Sequence, residues 1–401
     1  MRASRGARLL VAAATVAATG LAATTALAGG GFQGPSFGYG RYVREARAFR
    51  ICDSLVRRPA RFRSCLSDQA LWLVVHTHDS ARELPRIDRY AHSVGGFLDN
   101  NCHILMHPVG RRYARRIHLT LARLRDYLPR TNDPGCSAGF GHGLIMELGP
   151  QIVRMGPRGA AAACRKASTR YQRYSCVHGL GHAYMRLFGE LVTPSLAACS
   201  ALGPADAADC AQGAFHDYWI AVAGLDQTRR PADTTTSPRA LCGSQHAQFV
   251  RACWYRAWLE RPPHRIPRSG RALVTLCHGL LGLQQQACVT GGSVIVSPDP
   301  FVQLAVCKQL RGADAGACIR GIRVPALAAQ PLRDQVRLIR GCAAIDHAAQ
   351  HACYAWLGEA LNVVRDGGFT DAGCGELMYA KTRDTCASGA RAYNGALQTF
   401  S

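Results

Sequence analysis

Residues 164–182 read CRKASTRYQRYSCVHGLGH. Cys164 and Cys176 stand 12 positions apart, Cys176 opens a C-x-x-G unit ending at Gly179, and His178-x-x-x-His182 follows. A C-x-x-C pair brings two thiolates onto one metal. The longer gap here instead joins the end of one helix to the next, so it predicts a disulfide staple.

The same spacing runs through the chain. Neighbouring cysteines pair as Cys52 with Cys65, Cys164 with Cys176, Cys199 with Cys210, Cys242 with Cys253, Cys277 with Cys288, Cys307 with Cys318, Cys342 with Cys353 and Cys374 with Cys386, each 11 to 13 positions apart. Of the 18 cysteines only Cys102 and Cys136 remain, 34 positions apart, and they are expected to bond to each other. From Cys164 the first members recur at intervals of 35, 43, 35, 30, 35 and 32, a helical-hairpin period. A further C-x-x-G occurs at Cys136/Gly139, Cys210/Gly213, Cys288/Gly291, Cys318/Gly321 and Cys386/Gly389. Glycine one turn into a helix costs propensity, so it predicts close backbone approach between stacked helices. Helical spacing of Leu144, Ile145, Leu148, Ile152 and Val153 agrees, as does that of Tyr184, Leu187, Phe188 and Leu191. The expected fold is all-α: disulfide-stapled helical-hairpin repeats forming a solenoid or curved toroid.

Cysteine-clamped hairpins of this length resemble the secreted cysteine-rich Sel1-like repeat proteins, over roughly residues 160–390. The resemblance implies a solenoid in which a disulfide ties consecutive helices. The cysteine separation is longer here and the Ala/Leu/Gly/Tyr signature of those repeats is missing, so only the architecture is carried over. Cys277-His278-Gly279 also resembles the C-H-G motif of lanthionine cyclases, but their second cysteine in a W-C context is lacking, and a staple between Cys277 and Cys288 removes the thiolate.

The N-terminus carries Arg2, Arg5 and Arg8, an uncharged segment from Leu9, and Ala26-Leu27-Ala28 before Gly29. That order predicts a secretory signal peptide over 1–28, with a retained membrane anchor as the alternative. A flexible Gly-rich segment is expected over 29–45, N-terminal repeats with the histidines over 46–225, and C-terminal repeats over 240–401. Breaks are read at 226–239 and 261–270, where Pro, Thr and Gly gather. No later long apolar run occurs, and an exported chain with paired cysteines is expected to be secreted or extracytoplasmic.

The formal net charge is +22, yet only Lys166, Lys308 and Lys381 are lysines and the arginines are scattered. Without aromatic interleaving this argues against a nucleic-acid groove. An acidic cell-envelope component is the partner such charge favours. No Walker loop or CxxCH is present.

Chemistry is expected at the histidines. His103, His107, His142, His178, His182 and His216 all follow a cysteine closely, and His142, His182 and His216 each stand six positions after one. Stacked repeats then present them at equivalent heights, as a ladder. His103/His107 and His178/His182 are i, i+4 pairs on one helix face, and the second pair is expected to face a groove, away from Leu180, Tyr184, Leu187 and Phe188. Neutral imidazoles suit zinc, copper and iron, and zinc or copper is the expected ion. Glu147 and Asp217 are candidate general bases or orienting carboxylates, with Glu190 and Asp99 also nearby. The expected function is an exported protein with a transition-metal site, acting as a metal-dependent hydrolase if catalytic. The alternatives are a metal-free histidine packing network and a non-catalytic scaffold for an acidic partner.

Overall fold

Ten helices form the inner layer: α1 (Pro59–His76), α2 (Gly96–Arg116), α3 (Cys136–Glu147), α4 (Arg170–Leu187), α5 (Pro204–Val222), α6 (Ala247–Glu260), α7 (Gly282–Ser293), α8 (Gly312–Arg320), α9 (His347–Val364) and α10 (Ala380–Arg391). Each packs against the next along the series. The structure, a computed structural model, describes residues 42–77, 79–131, 134–224 and 236–392. Among these residues every regular element is helical, with no strand. None of their helices is long and apolar enough to cross a membrane.

Shorter helices precede the inner ones and carry the amphipathic pattern. In Leu332–Arg340, Val336, Leu338 and Ile339 are buried while Arg333, Arg337 and Arg340 face outward. The middle inner helices, such as α3 and α4, differ in kind. Residues 136–146 of α3 are buried on all sides, being mostly small or apolar, as a helix covered by neighbours all round requires.

The staples tie the two layers. Cys164 ends the helix Gly149–Cys164 and bonds to Cys176 inside α4; Cys307 ends Pro300–Cys307 and bonds to Cys318 inside α8. Cys65 in α1, Cys253 in α6 and Cys353 in α9 repeat the arrangement. They bond to Cys52, Cys242 and Cys342, each at or near the end of the shorter helix before it. All nine disulfides pair as the spacing predicts, and among the described residues there is no free cysteine. Cys102–Cys136 is the exception in role as well as length, since it bolts two inner helices, α2 and α3, side by side. So many bridges fit an oxidising environment.

Of the C-x-x-G glycines, all but Gly179, which meets the Ile145 side chain, lie against neighbouring backbone as expected. A methyl group at Gly139 would fall on the His103 carbonyl, and one at Gly213 on the His178 carbonyl. Only a residue without Cβ lets α3 lie against α2, and α5 against α4, at this distance.

The N-terminal boundary differs from expectation. A helix, Val43–Arg50, begins inside the segment read as flexible, because Glu45 is buried and accepts hydrogen bonds from Arg86 (2.5 and 3.1 Å). The signal-peptide segment, and most of the break at 226–239, lie outside the described residues. At the far end the chain meets its own middle. The Arg170 backbone N–H, at the start of α4, donates to Asp366 just past α9 (3.1 Å), and α9 touches α4.

Candidate metal centre

The close helix approach brings six imidazoles to one place. His103 and His107 come from α2, His142 from α3, His178 and His182 from α4, and His216 from α5. The expected ladder is present: ring centroids of His142 and His182 lie 5.1 Å apart, as do those of His182 and His216. It is folded into a cluster, since His103 lies 4.8 Å from His142 and 5.1 Å from His216, and His107 4.8 Å from His182. One nitrogen from each of His103, His107, His142 and His182 lies within 4.8 Å of the others, and the same holds for His178, His182 and His216.

Burial corrects one expectation. His182 is fully buried and does not look onto an open groove, whereas His178, only 2% exposed, lines the cleft. The helical wheel placed them opposite Leu180 correctly, but α3 and α5 cover that face too. A cleft of about 410 Å³ reaches the cluster from one side, bounded there by His103, His142, His178 and His216, with His182 behind them.

The outer hydrogen bonds fix how the rings face. His103 Nδ1–H donates to the Pro134 carbonyl (2.7 Å) and His182 Nδ1–H to Asp217 (2.8 Å). Both partners accept only, so the proton sits on Nδ1 and Nε2 carries the lone pair. His216 Nε2 faces Glu260 (3.2 Å), leaving Nδ1 toward His178 Nε2 (3.3 Å). His142 Nε2 meets the Ser175 hydroxyl, with Nδ1 toward His103 Nε2 (both 3.1 Å). Four rings are therefore each tied outward through one nitrogen and present the other to the cluster, the way metal-ligating histidines are held.

Burial keeps three of the rings neutral. Burial holds His142, His178 and His216 well below the usual histidine value. For His142 the other imidazoles push the same way; for His178 and His216 so does Arg256, along with neighbouring imidazoles. Neutral imidazole is the ligating form.

Of the candidate carboxylates, Asp217 is buried behind His182. Glu147 stands at the end of α3, more than a turn beyond His142, where it accepts from Arg111 (3.3 Å) and pairs with Arg115 (3.5 Å). Asp99 faces His92 (2.6 Å) at the cleft. Glu190 is buried, with its backbone at φ 67°.

The cleft also holds residues that sequence reasoning missed: Glu260, Arg256, Tyr255 and Tyr174, with Arg323 beyond them. Arg256 donates to Gln212 (2.9 Å) and pairs with Glu260 (3.6 Å). Burial raises the pKa of Glu260, against the pull of Arg256 and Arg323. Burial also raises those of Tyr174 and Tyr255, so both phenols stay protonated. The one available signal was register: Glu260 stands 44 residues after His216, about one repeat on. Comparison of the chain with protein-family models, with curated proteins and with solved structures returned no match.

Proposed function

We propose that this is an exported helical-repeat protein whose six-histidine cluster binds a transition metal, zinc or copper, and uses it for hydrolysis in the adjoining cleft. The observation that carries the reading is the ring orientation: His103, His142, His182 and His216 are each anchored outward and turn their second nitrogen toward the others. A network built only for packing has no need to converge so many ring nitrogens on one point. The donor set also fits the ion, since imidazole suits zinc and copper.

Bound there, the ion would lower the pKa of a water and polarise the scissile bond. The residues divide the remaining tasks. Asp217 orients His182 and raises its basicity. Glu260, the cleft carboxylate beside His216, takes the general-base role, while Arg256 and Arg323 favour an anionic ester. Export is supported by the nine disulfides and the leading Arg-then-apolar segment. The Arg170–Asp366 contact supports an array that curves back on itself, closer to a toroid than to an open solenoid.

The test is hydrolysis of bis(p-nitrophenyl) phosphate and p-nitrophenyl acetate by the oxidised protein. Activity should disappear after chelation, return with zinc or copper, and be absent in His182→Ala. Activity indifferent to chelation, or no hydrolysis by the metal-loaded protein, would contradict the hydrolase reading.

A further inference from the structure

The cluster is built twice. In α2 and α3, the pair His103-x-x-x-His107 is joined by His142, 39 residues after the first histidine; in α4 and α5, His178-x-x-x-His182 is joined by His216, 38 residues after. The backbone contact beneath each set repeats as well. Gly139 rests on the carbonyl of His103 and Gly213 on that of His178, in each case the first histidine of the pair. Two helix pairs thus present the same three-imidazole unit in the same register.

The two units meet face to face. Within the first, ring centroids lie 4.8–5.8 Å apart, and within the second 5.1–5.6 Å. Between them His107 and His182 stand at 4.8 Å and His142 and His178 at 4.9 Å. A tetrahedral ion takes about four ligands, and sites that do chemistry keep three from the protein and one position open. Six imidazoles exceed what one such ion uses and match two.

We infer that the cluster is a dinuclear site: one divalent transition-metal ion on His103, His107 and His142, a second on His178, His182 and His216. This rests on the metal reading above and adds the number of ions. His182 Nδ1–H is committed to Asp217, which leaves one nitrogen and hence one ion; that nitrogen lies close to both sets, and since His103, His107 and His142 already make three ligands, it completes the second unit with His178 and His216. Six neutral imidazoles offset none of the charge of two dications; Asp217 and Glu260, behind His182 and His216, offset part of it, and an anion, hydroxide or an oxyanion of the substrate, would offset more.

The experiment is titration of chelator-treated, fully oxidised protein with Zn²⁺ by calorimetry, checked by elemental analysis after desalting. Two ions per chain are expected, falling to one in His142→Ala and to one in His216→Ala. One ion in the wild type, or two retained in either variant, overturns the dinuclear assignment while leaving the metal reading intact. No ion at all overturns both. The Cu²⁺-loaded wild type gives a measurement independent of how the variants fold. Spin coupling, seen as lost or broadened paramagnetic resonance relative to total copper, is expected; a full-intensity spectrum of isolated ions overturns the proposal.

Discussion

Replacing Gly213 by alanine tests whether the glycine contacts set the site. The added methyl carbon would stand 1.9 Å from the His178 carbonyl oxygen, whereas real Cβ atoms stay beyond 3.0 Å. Helices α4 and α5 must therefore part by about 1.1 Å at the turn that carries His178. Forcing atoms into a close-packed contact costs about 1–3 kcal/mol. Ligand distances in a metal site tolerate only about 0.2 Å, so such a parting also pulls His216 out of reach of an ion held by His178 and His182. Gly316→Ala in α8 is the control: its methyl would meet nothing nearer than 3.8 Å, so helix propensity alone should stabilise by up to about 1 kcal/mol. Thermal unfolding and Zn²⁺ titration of the two variants give the comparison. Gly213→Ala should unfold earlier and bind metal at least about tenfold more weakly. If Gly213→Ala were as stable as wild type with unchanged affinity, the steric argument would be refuted.

Three further outcomes are expected. Asp217→Asn should weaken metal binding by about 10–100-fold with little change in helix content by circular dichroism, and equal affinity would remove Asp217 from the site. Opening Cys102–Cys136 with paired serines should cost about 4 kcal/mol, against about 3 kcal/mol for Cys277–Cys288 with its shorter loop. Only the first should also impair metal retention, and equal impairment would count against its special role. Metal-free protein should lose stability as pH falls below about 6.5. The unfolded chain then takes up protons that the folded His142, His178 and His216 refuse, at up to about 1.4 kcal/mol per pH unit for each. Denaturant midpoints that stay flat between pH 7 and 5 would contradict their being held neutral.

The covalent and steric parts of the fold were legible because they act locally. Cysteine spacing predicts every staple, and a glycine three positions after a cysteine predicts backbone contact at all but Gly179, since no other residue permits it. The six histidines were legible as a group because each follows a cysteine, whose staple fixes its height. Their convergence was not. How closely α2 lies on α3, and α4 on α5, is set by packing at residues such as Gly110 and Gly181, and no helical wheel contains how the two helix pairs then turn toward each other. Glu260, Arg256 and Arg323 were missed because they reach the cleft from later repeats, through curvature summed over several helix pairs. Pro134 contributes through a carbonyl, which carries no residue signature.

X-ray absorption on the metal-loaded, oxidised protein tests the central claim most directly. The account predicts a first shell of nitrogen, three imidazoles per ion at about 2.0–2.1 Å for zinc, with the outer-ring scattering of histidine and no sulfur. A shell dominated by sulfur, or an oxygen shell without imidazole scattering, would contradict it. A chain that takes up no metal would do so as well, and would leave the six histidines as a packing network.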